Sequence, residues 1–381
     1  MERNGIVVVG SLNVDYVANL YSLPGPGETV KGPEDGFAVN FGGKGGNSAC
    51  MAALFHRHEG AVSMIGRVGE DGQGQAYVKS LAAKGVNVSH VIVDETNTGT
   101  ATIFVGGDGE NMIGINAGAN ANLSPDDLKE DLPVWNTAKI MLLQNEIPIE
   151  TTLAALKLAD AKGIISIFNP APFTDDVAEC LRWADFVIVN EHEVKLLRQM
   201  SDNVLREKVP GPSSPAGEGA GKKPRALNFK SSLSHDTTSG ELDVAPLRWW
   251  GIQKCIITRG DKGCIVWDES SGGGCFSTID DVVHFGSPVD TTGAGDAFVG
   301  AFATSLCCYS GGNKHHSDIN LSVMLDAARI AGDVASATVI KHGAQKSYPT
   351  HDDLEKLIVP QPKALGRFKQ HFPKWVPSGS R

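Results

Sequence analysis

Residues 290 to 302 read DTTGAGDAFVGAF, and the two halves of this segment have different conformational preferences. The glycines and consecutive threonines favour a loop as far as Gly295, whereas the small and apolar residues from Ala297 onward are compatible with a helix. A glycine turn at a helix start leaves several backbone N–H groups without an intrahelical partner. Those donors and the positive end of the helix dipole suit the charge that develops on a transferring phosphoryl group. The segment therefore predicts an anion site.

Asp296 lies in the first turn of this predicted helix. Its carboxylate would sit beside the anion site and could accept a hydroxyl proton while the oxygen attacks phosphorus. The competing interpretation is an ordinary acidic residue at a helix N-terminus, where the helix dipole favours negative charge. When this segment is considered alone, both interpretations of Asp296 stay open.

A second glycine-rich cluster, residues 40 to 47, reads NFGGKGGN and precedes another predicted helix. It is not a nucleotide-binding P-loop, because that pattern requires Ser or Thr after the lysine and Gly45 follows Lys44 here. Lys44 and Asn47 remain as hydrogen-bond donors for a polar ligand. A glycine turn that only starts a helix is the alternative.

Asn13 and Asp15 follow the first predicted strand, an apolar run from Ile6 to Gly10. In sheets of parallel strands, ligands bind at the carboxyl ends of the strands. Two short polar side chains at positions i and i+2 could hold adjacent hydroxyl groups there. A local Asx-turn is an equally good interpretation of the same pair.

The rest of the chain alternates strand-like and helix-like segments. Strands are predicted at 140–143, 164–168, 186–189, 255–258 and 264–267, the last two around a turn with Gly260 and Gly263, and helices at 149–162 and from 191. This order predicts an α/β fold with a mainly parallel sheet covered by helices. Residues 16–41 and 98–115 mix polar and apolar residues with turn glycines, so we expect them to pair as a small separate sheet. Helix starts are predicted at 124–127 and at Thr350, which has Asp353 three residues later.

The chain is long for one domain, although a single large α/β unit with insertions remains within range. The 381 residues are 41% hydrophobic and 20% charged, which supplies a sizeable core and argues against a largely disordered chain. We expect a domain over residues 1–359 and a disordered insertion at 210–240, where Pro, Gly, Ser and Lys dominate. Residues 360–381 carry basic residues and no acid, and are expected to form a solvated tail.

Charge and cysteine usage narrow the classes of function. The formal net charge of -10 argues against binding to nucleic acid or to an anionic membrane. Seven cysteines without zinc-like spacing predict free thiols in a reducing compartment. The sequence shows neither a signal peptide nor a run of about eighteen apolar residues. We expect a cytoplasmic protein, with the nucleus as a second compartment left open.

Taken together, these segments resemble the ribokinase group of the PfkB carbohydrate kinase family over about residues 6 to 349. The cluster at 42–47 is similar to the first signature of the family, and residues 290–296 match the second. Between them, GENMIGI at 109–115, AGANA at 117–121 and NPAP at 169–172 are ribokinase-like. The resemblance implies a ribokinase-like three-layer α/β sandwich. It also implies that the small sheet is a lid, which covers the sugar and often mediates dimer contact.

The resemblance further implies roles for individual residues. Asp296 would be the catalytic base on the primary hydroxyl, and the sugar would be held by Asn13, Asp15, Gly43, Lys44, Asn47, Glu146 and Asp296. The nucleotide would lie beside Asn190, Thr258, Gly260, Gly263, Gly293, Ala294 and Gly295, and Gly332 falls where relatives often place a polar residue near adenine. Asn190 and Glu193 would arrange Mg²⁺ through water. A monovalent cation such as K⁺ would be surrounded, mostly through backbone carbonyls, by Asp290, Thr292, Thr338, Lys341, Gly343 and Ser347.

The implied activity is ATP-dependent phosphorylation of D-ribose at the 5-hydroxyl, with Mg²⁺ and K⁺, by a homodimer that contacts itself through the lid. Another kinase of the same family, acting on adenosine, fructose or deoxyribose, is the first alternative. The Asn13 and Asp15 pair, together with Glu146, favours free ribose. A non-catalytic sugar sensor is the second alternative, and Asp296 speaks against it because a sensor needs no base.

Overall fold

The structure is a computed structural model that describes residues 3–56, 60–206, 245–269, 275–309 and 319–372. The predicted insertion at 210–240 lies outside the described residues. The strands are β1 (Gly5–Val9), β2 (Asn13–Asn19), β3 (Phe37–Gly42), β4 (Val62–Gly69), β5 (Val86–Asp94), β6 (Gly99–Val105), β7 (Asn111–Asn116), β8 (Ala138–Gln144), β9 (Ile165–Asn169), β10 (Phe186–Asn190), β11 (Lys254–Thr258), β12 (Cys264–Asp268) and β13 (Cys275–Ile279). The α-helices are α1 (Lys44–Phe55), α2 (Gly72–Ala83), α3 (Val134–Thr137), α4 (Ile149–Lys162), α5 (Ala178–Trp183), α6 (Glu191–Arg206), α7 (Ala245–Trp249), α8 (Ala294–Cys308), α9 (Leu321–Thr338), α10 (His351–Ile358) and α11 (Pro362–His371).

Nine of these strands form one large sheet, in the order β13-β12-β11-β10-β9-β8-β1-β4-β5. The pairs from β11 through β5 are parallel, and β12 and β13 add an antiparallel edge. Central strands such as β1 and β10 are almost continuously apolar, as expected for strands that are buried on both faces of the sheet. The predicted mainly parallel sheet is confirmed.

Helices cover both faces of this sheet. Ile6 and Val8 of β1 pack with residues of α1, α8, α9 and α11 in one core cluster, whereas Val7 and Val9 pack with residues of α4, α5 and α6 in another. Successive side chains of a strand point to opposite faces, so one strand contributes to both clusters. The result is the three-layer α/β sandwich that the resemblance implies.

A separate four-stranded sheet has the order β3-β2-β6-β7. Strands β2 and β6 pair in parallel, and β3 and β7 add antiparallel partners on either side. This pairing confirms that segments 16–41 and 98–115 come together as a small sheet, although residues 20–36 form turns and loops rather than strand. We call this four-stranded sheet the lid sheet. Its register places Asp15 on the same face as Ala101 and Ile115, and Tyr16 on the opposite face with Val39.

The carboxyl ends of the parallel strands define the edge at which polar residues collect. Strands β1, β8, β10 and β11 run in the same direction and end at Val9, Gln144, Asn190 and Thr258. The glycine cluster before α1 follows β3, so it returns the chain from the lid sheet to this edge. The fold therefore brings together the segments that the sequence analysis singled out.

Two local predictions at helix starts have different outcomes. At Thr350, both hydrogen bonds of a capping box with Asp353 are present, and α10 begins there. Ser124 and Asp127 also form a capping box, but the segment that follows is a three-residue 3-10 helix instead of an α-helix. None of the helices in the described ranges has the length and apolar character needed to cross a membrane.

The segment from residue 360 is not the solvated tail that the sequence analysis expects, as far as the structure describes it. Residues Pro362–His371 form α11, and its residues Ala364, Phe368 and His371 are buried. Phe368 packs edge-on against Phe55 of α1, with 5.9 Å between ring centroids. These buried positions recur at i, i+4 and i+7, a helical spacing that lies among the basic residues of this segment.

Candidate active site

The loop and helix predicted from residues 290 to 302 are present. Helix α8 begins at Ala294, and Gly293 precedes it with φ 75 in the left-handed region. A side chain there would be strained, and its Cβ would lie 2.7 Å from Cβ of Ala344. The hydroxyl of Tyr348 donates a hydrogen bond of 2.8 Å to the carbonyl of Gly293 and fixes this turn. The first N–H groups of α8 have no acceptor within the helix, and that of Ala294 donates to the carbonyl of Thr291 at 3.2 Å.

Asp296 is buried in the first turn of α8, with 7% of its surface exposed. The amide Nδ2 of Asn47 donates to its Oδ2 at 2.8 Å. Burial raises the pKa of Asp296, while the charge of Lys44 and the hydrogen bond from Asn47 oppose this effect. A desolvated carboxyl that is held by a donor and a cation has the properties of a general base.

The glycine cluster forms the turn before α1, and Glu146 binds to it. Gly43 has φ 80, and a Cβ there would lie 2.7 Å from the backbone nitrogen of Asn13. The carboxylate Oε2 of Glu146 accepts the backbone N–H of Lys44 at 2.9 Å and the hydroxyl of Ser11 at 2.6 Å. Glu146 thereby connects the end of β8, the end of β1 and the glycine turn.

Lys44 is the cation of this site. Its pKa is raised, first by the negative charge of Asp296 and also by Glu146 and Glu193, while burial opposes the rise. The same ammonium charge lowers the pKa of Asp296 and that of Glu193 relative to the effect of burial alone. Its side chain therefore lies within electrostatic reach of both the candidate base and the residues predicted near Mg²⁺.

Asn13 and Asp15 are the first and third residues of β2, so the interpretation as an Asx-turn is wrong. The amide of Asn120 donates to Oδ1 of Asn13 at 2.7 Å. Burial raises the pKa of Asp15 to about 7, and the charges of Glu146 and Asp296 contribute. The carboxylate of Asp15 lies against Gly42, where a Cβ would come within 2.0 Å of Oδ2. The structure brings Asn13, Asp15, Glu146 and Asp296 into one polar cluster.

Asn190 and Glu193 form a reciprocal pair at the start of α6. The backbone N–H of Asn190 donates to Oε2 of Glu193 at 2.8 Å, and the backbone N–H of Glu193 donates to Oδ1 of Asn190 at 2.9 Å. This is a capping arrangement, which fixes the Glu193 carboxylate at the edge of the sheet. Burial raises the pKa of Glu193, although Lys44 opposes the shift. Helix capping therefore explains the pairing of Asn190 and Glu193 without a bound ligand.

Four of the residues predicted beside the nucleotide, Asn190, Thr258, Gly260 and Gly263, lie on two paired strands or in the turn after them. Thr258 is paired with Asn190 across β10 and β11. Gly260 and Gly263 follow in a tight turn with positive φ values of 61 and 78. A Cβ on Gly263 would lie 1.9 Å from the carbonyl oxygen of Ile279, which explains the glycine by close packing. The turn is thereby held against the segment that leads to the anion loop.

Gly332 lies in α9 beside Val282. A Cβ at this position would be 2.9 Å from Cγ2 of Val282, so a larger residue would displace that valine. The packing explains why this chain has glycine where the resemblance leads one to expect a polar side chain. The expected polar contact from position 332 is therefore absent, since glycine offers no side-chain group.

Hydrogen bonds of Asp290 join some of the six residues predicted around a monovalent cation. Asp290 accepts from the backbone N–H of Thr292 at 2.9 Å through Oδ1 and from that of Gly343 at 2.8 Å through Oδ2. The backbone N–H of Asp290 donates to the carbonyl of Val339 at 3.2 Å. Asp290 therefore ties the anion loop to the segment after α9, which contains Lys341, Gly343 and Ser347.

Several residues of this site were missed by reasoning from the sequence. Ser11 lies between the predicted strand at residues 6–10 and the predicted site residue Asn13. Its place just after β1 could have identified it as a site residue. Tyr348 and Gln345 have no local signal, because their contacts are made with residues more than fifty positions away. Both lie in the segment between α9 and α10, next to the anion loop.

The profile described as pfkB family carbohydrate kinase matches residues 3–211 and 234–351. The chain belongs to the pfkB carbohydrate kinase family. Ribokinase of Mus musculus is 31% identical over 355 residues, covering 93% of this chain and 94% of the relative. Ribokinase of Bacillus subtilis is 31% identical over 354 residues, covering 93% and 99%.

Solved structures agree with this membership. Ribokinase of Arabidopsis thaliana, complexed with ribose and ATP, is 26% identical with a TM-score of 0.66, covering 93% of this chain and 98% of that one. A fructokinase with bound ATP from Xylella fastidiosa is 18% identical with a TM-score of 0.68, over 94% and 99% of the two chains, and shows the shared fold alone. As a pfkB family member with this fold, the protein is an ATP-dependent carbohydrate kinase.

Proposed function

We propose that this pfkB family kinase transfers the γ-phosphoryl group of ATP to the 5-hydroxyl of D-ribose, giving D-ribose 5-phosphate. The observation that carries the proposal is the polar cluster of Asn13, Asp15, Glu146 and Asp296 beside the first turn of α8. A polyhydroxylated sugar suits such a cluster, because its hydroxyls can donate to carboxylates and accept from amides. Relatives about 30% identical over most of the chain are ribokinases, which supports ribose as the acceptor.

Proton transfer would be the task of Asp296. Its carboxylate accepts the proton of the attacking hydroxyl as the oxygen forms a bond to phosphorus and the bond to the ADP leaving oxygen breaks. The raised pKa of Asp296 makes its carboxylate a stronger proton acceptor than an exposed aspartate. The hydrogen bond from Asn47 orients the carboxylate for this role.

The negative charge of the transferring group would be stabilised by the chain's own donors. The loop of Gly293, Ala294 and Gly295 stands at the positive end of α8. The N–H of Ala294 donates to the carbonyl of Thr291 at 3.2 Å and would exchange this bond for one to a phosphate oxygen. The ammonium group of Lys44 lies within electrostatic reach of the same carboxylate and adds a full positive charge. These groups are fixed before the reaction, so little reorganisation is needed as charge develops.

Mg²⁺ would arrive with ATP and neutralise charge on the phosphate oxygens. The chain's contribution is the pair Asn190 and Glu193, whose capping hydrogen bonds hold one carboxylate at the sheet edge. Such a carboxylate can accept hydrogen bonds from water molecules around the ion, an arrangement consistent with the preference of Mg²⁺ for retained waters.

A monovalent cation would stabilise the anion loop. Its surroundings would be Asp290, Thr292 and the segment with Thr338, Lys341, Gly343 and Ser347, mostly through backbone carbonyls. The side-chain oxygens of Asp290 already accept backbone N–H groups, which supports carbonyl oxygens as the ligands. Each of these carbonyls belongs to the same planar peptide unit as the N–H of the next residue. A cation that orders the carbonyls would therefore also order the N–H groups of the loop.

A nucleoside remains the second candidate acceptor, and one observation favours it. The face of the lid sheet that bears Asp15 also carries Ala101, Ile103, Ile113 and Ile115, and the last two are 56% and 55% exposed. An apolar surface beside the sugar-binding residues could cover a base as well as a sugar ring.

The experiment is an assay of ATP consumption over ribose, 2-deoxyribose, fructose and adenosine, each with and without K⁺. We expect ribose to give the highest kcat/KM, a product with phosphate on C5 by ³¹P and ¹³C NMR, and faster turnover with K⁺ than with Na⁺. Turnover of adenosine without turnover of ribose would show that the acceptor is a nucleoside and not ribose. Equal rates with and without K⁺ would remove the cation from the proposal.

A further inference from the structure

Gln345 lies in the segment between α9 and α10 and is only 4% exposed. Its Nε2 donates to Oδ1 of Asn47 at 3.1 Å and to the hydroxyl of Tyr77 at 2.7 Å. Its Oε1 accepts from Nζ of Lys84 at 3.2 Å. Gln345 therefore contacts the residue that holds Asp296 and two residues at the α2 side of the glycine turn.

The direction of these hydrogen bonds is set by the lysine. An ammonium group can only donate, so the group of Gln345 that faces Lys84 must be the oxygen. The opposite end of the Gln345 amide is then the NH₂ group, which requires the oxygen of Asn47 to face it. The NH₂ group of Asn47 is thereby left to donate to Asp296, at 2.8 Å. The chain Lys84, Gln345, Asn47, Asp296 has one consistent polarity.

The orientation of Asn47 matters because the two ends of an amide act oppositely on a carboxylate. An NH₂ group stabilises the ionised form by a charge-assisted hydrogen bond, whereas a carbonyl oxygen in its place would repel it. The charged and titratable groups within reach of Asp296 are Lys44 of α1, Glu146 after β8, Asp15 of β2 and Tyr348. Of these, only Lys44 opposes the effect of burial, so the Asn47 donor has few substitutes.

The same glutamine reaches the turn that carries Lys44. Tyr77 accepts from Gln345 and donates its own hydroxyl proton to the carbonyl of Gly42. The ring of Tyr77 stacks on Phe41 of β3, with centroids 4.6 Å apart and 14° between the planes. Gln345 thus contacts Asn47, which supports Asp296, and Tyr77, which in turn bonds to the end of the lid sheet.

We propose that Gln345, oriented by Lys84, is a positioning residue that keeps the NH₂ group of Asn47 on Asp296 and so keeps this carboxylate ready to accept the sugar proton. The inference rests on the proposed function for the chemical role of Asp296. Lys84 and Gln345 touch no reacting atom. Their role is to set which end of the Asn47 amide faces Asp296.

The test compares Gln345→Glu with the wild type. Glutamate has nearly the same shape and still accepts from Lys84, but it presents an acceptor to Asn47, whose NH₂ group then turns away from Asp296. We expect the acidic limb of the kcat profile for ribose to move up by about one pH unit, which is about a tenfold lower kcat below that limb. The KM for ATP should change by less than about twofold, since nothing on the nucleotide side is altered.

Two further variants and a control separate the loss of the Gln345 donor from the effect of an added negative charge. Gln345→Met and Lys84→Met remove the donor and its orienting cation without adding charge, and both should move the limb in the same direction. Gln75→Glu places the same negative charge on an exposed position of α2 and should leave the profile unchanged. If both Gln345 variants are active and the acidic limb of their kcat profiles lies where it does in the wild type, the inference is wrong.

A direct titration separates this inference from the proposed function. The carboxyl carbon of Asp296 can be followed by ¹³C NMR in protein labelled at aspartate, with Asp296→Asn to assign the signal. A higher pKa of this carboxyl in Gln345→Glu supports the positioning role even if no sugar is phosphorylated. An unchanged titration refutes it even if the wild type proves to be a ribokinase.

Discussion

At the scale of single residues, the site concentrates charge in a small volume. The charges of Glu146 and Asp296 raise the pKa of Asp15, and the charge of Glu146 raises that of Asp296, which the charge of Lys44 opposes. Desolvation is the largest contribution for both Asp15 and Asp296. Such an arrangement favours binding of hydroxyl groups and proton transfer, but it destabilises the folded protein while the site is empty.

Asp15→Asn should therefore stabilise the protein at alkaline pH. The pKa of Asp15 rises from 3.8 to about 7 on folding. The folded state thus holds a proton that the unfolded state loses, and stability falls as pH increases through this window. We expect the variant to raise Tm by a few degrees at pH 8 and by less at pH 5, measured by calorimetry without ligand. An equal change at both pH values would contradict the assigned shift.

The residues of the site could be predicted from the sequence to different degrees. Asp296 and the Gly293 turn were accessible, because a glycine loop before an apolar helix is a local pattern. Gln345 was not, since its partners Asn47, Tyr77 and Lys84 lie 298, 268 and 261 positions away along the chain. A polar side chain whose role depends on distant partners leaves no periodic or local signal.

At the scale of elements, the agreement between sequence and structure follows from burial. The helix predicted at 149–162 has those bounds in the structure, because Pro148 precedes it and Gly163, with φ 64, ends it. The strand predicted at 140–143 lies within β8, whose run of apolar residues is buried on both faces. Helix α11 escaped prediction because its basic residues, including Arg367, dominate the composition of that segment.

Arg367 is expected to hold α11 in place. Its Nη1 donates to both carboxylate oxygens of Asp333, at 3.0 and 2.9 Å, and Asp333 is fully buried. Arg367→Met would leave that acid without this partner, so we expect a loss of about 3 kcal/mol in the free energy of unfolding, measured by denaturant titration. Lys369→Met, which removes an exposed charge from the same helix, should have no comparable effect.

A second substitution checks the cause of that loss. Asp333→Asn in the Arg367→Met background removes the buried charge while an oxygen remains to accept the N–H of Val283, now bonded at 2.9 Å. The double variant should recover part of the stability. A double variant that is less stable than Arg367→Met would show that the ion pair is not the reason for the loss.

At the scale of the whole molecule, the lid sheet has an apolar face directed away from Asp15. Phe37 and Met112 on this face are 63% and 52% exposed, and Val39, Tyr16 and Phe104 share the face with them. We propose that a second copy of the chain covers it, because several large apolar side chains exposed on one face favour association. Closure of a lid over the site would also exclude water during transfer.

Oligomeric state measured by light scattering tests this surface. We expect a dimer for the wild type and a monomer for the double variant Phe37→Asp, Met112→Asp, since two charges would be buried at the contact. Charge added at Val93, an equally exposed apolar residue on β5, should leave the dimer intact. A wild-type monomer at micromolar concentration would contradict the proposal.

Asp296→Asn is the variant that tests the account most directly, with kcat for ribose phosphorylation and the Kd for ribose measured together. The asparagine can still accept from Asn47 but cannot take up the sugar proton, so we predict a kcat about 10²- to 10⁴-fold lower and a nearly unchanged Kd. Asp353→Asn is the matched control, because Asp353 occupies the same position in the first turn of α10, and it should leave kcat unchanged. Turnover by Asp296→Asn within about tenfold of the wild type would contradict the assignment of the base.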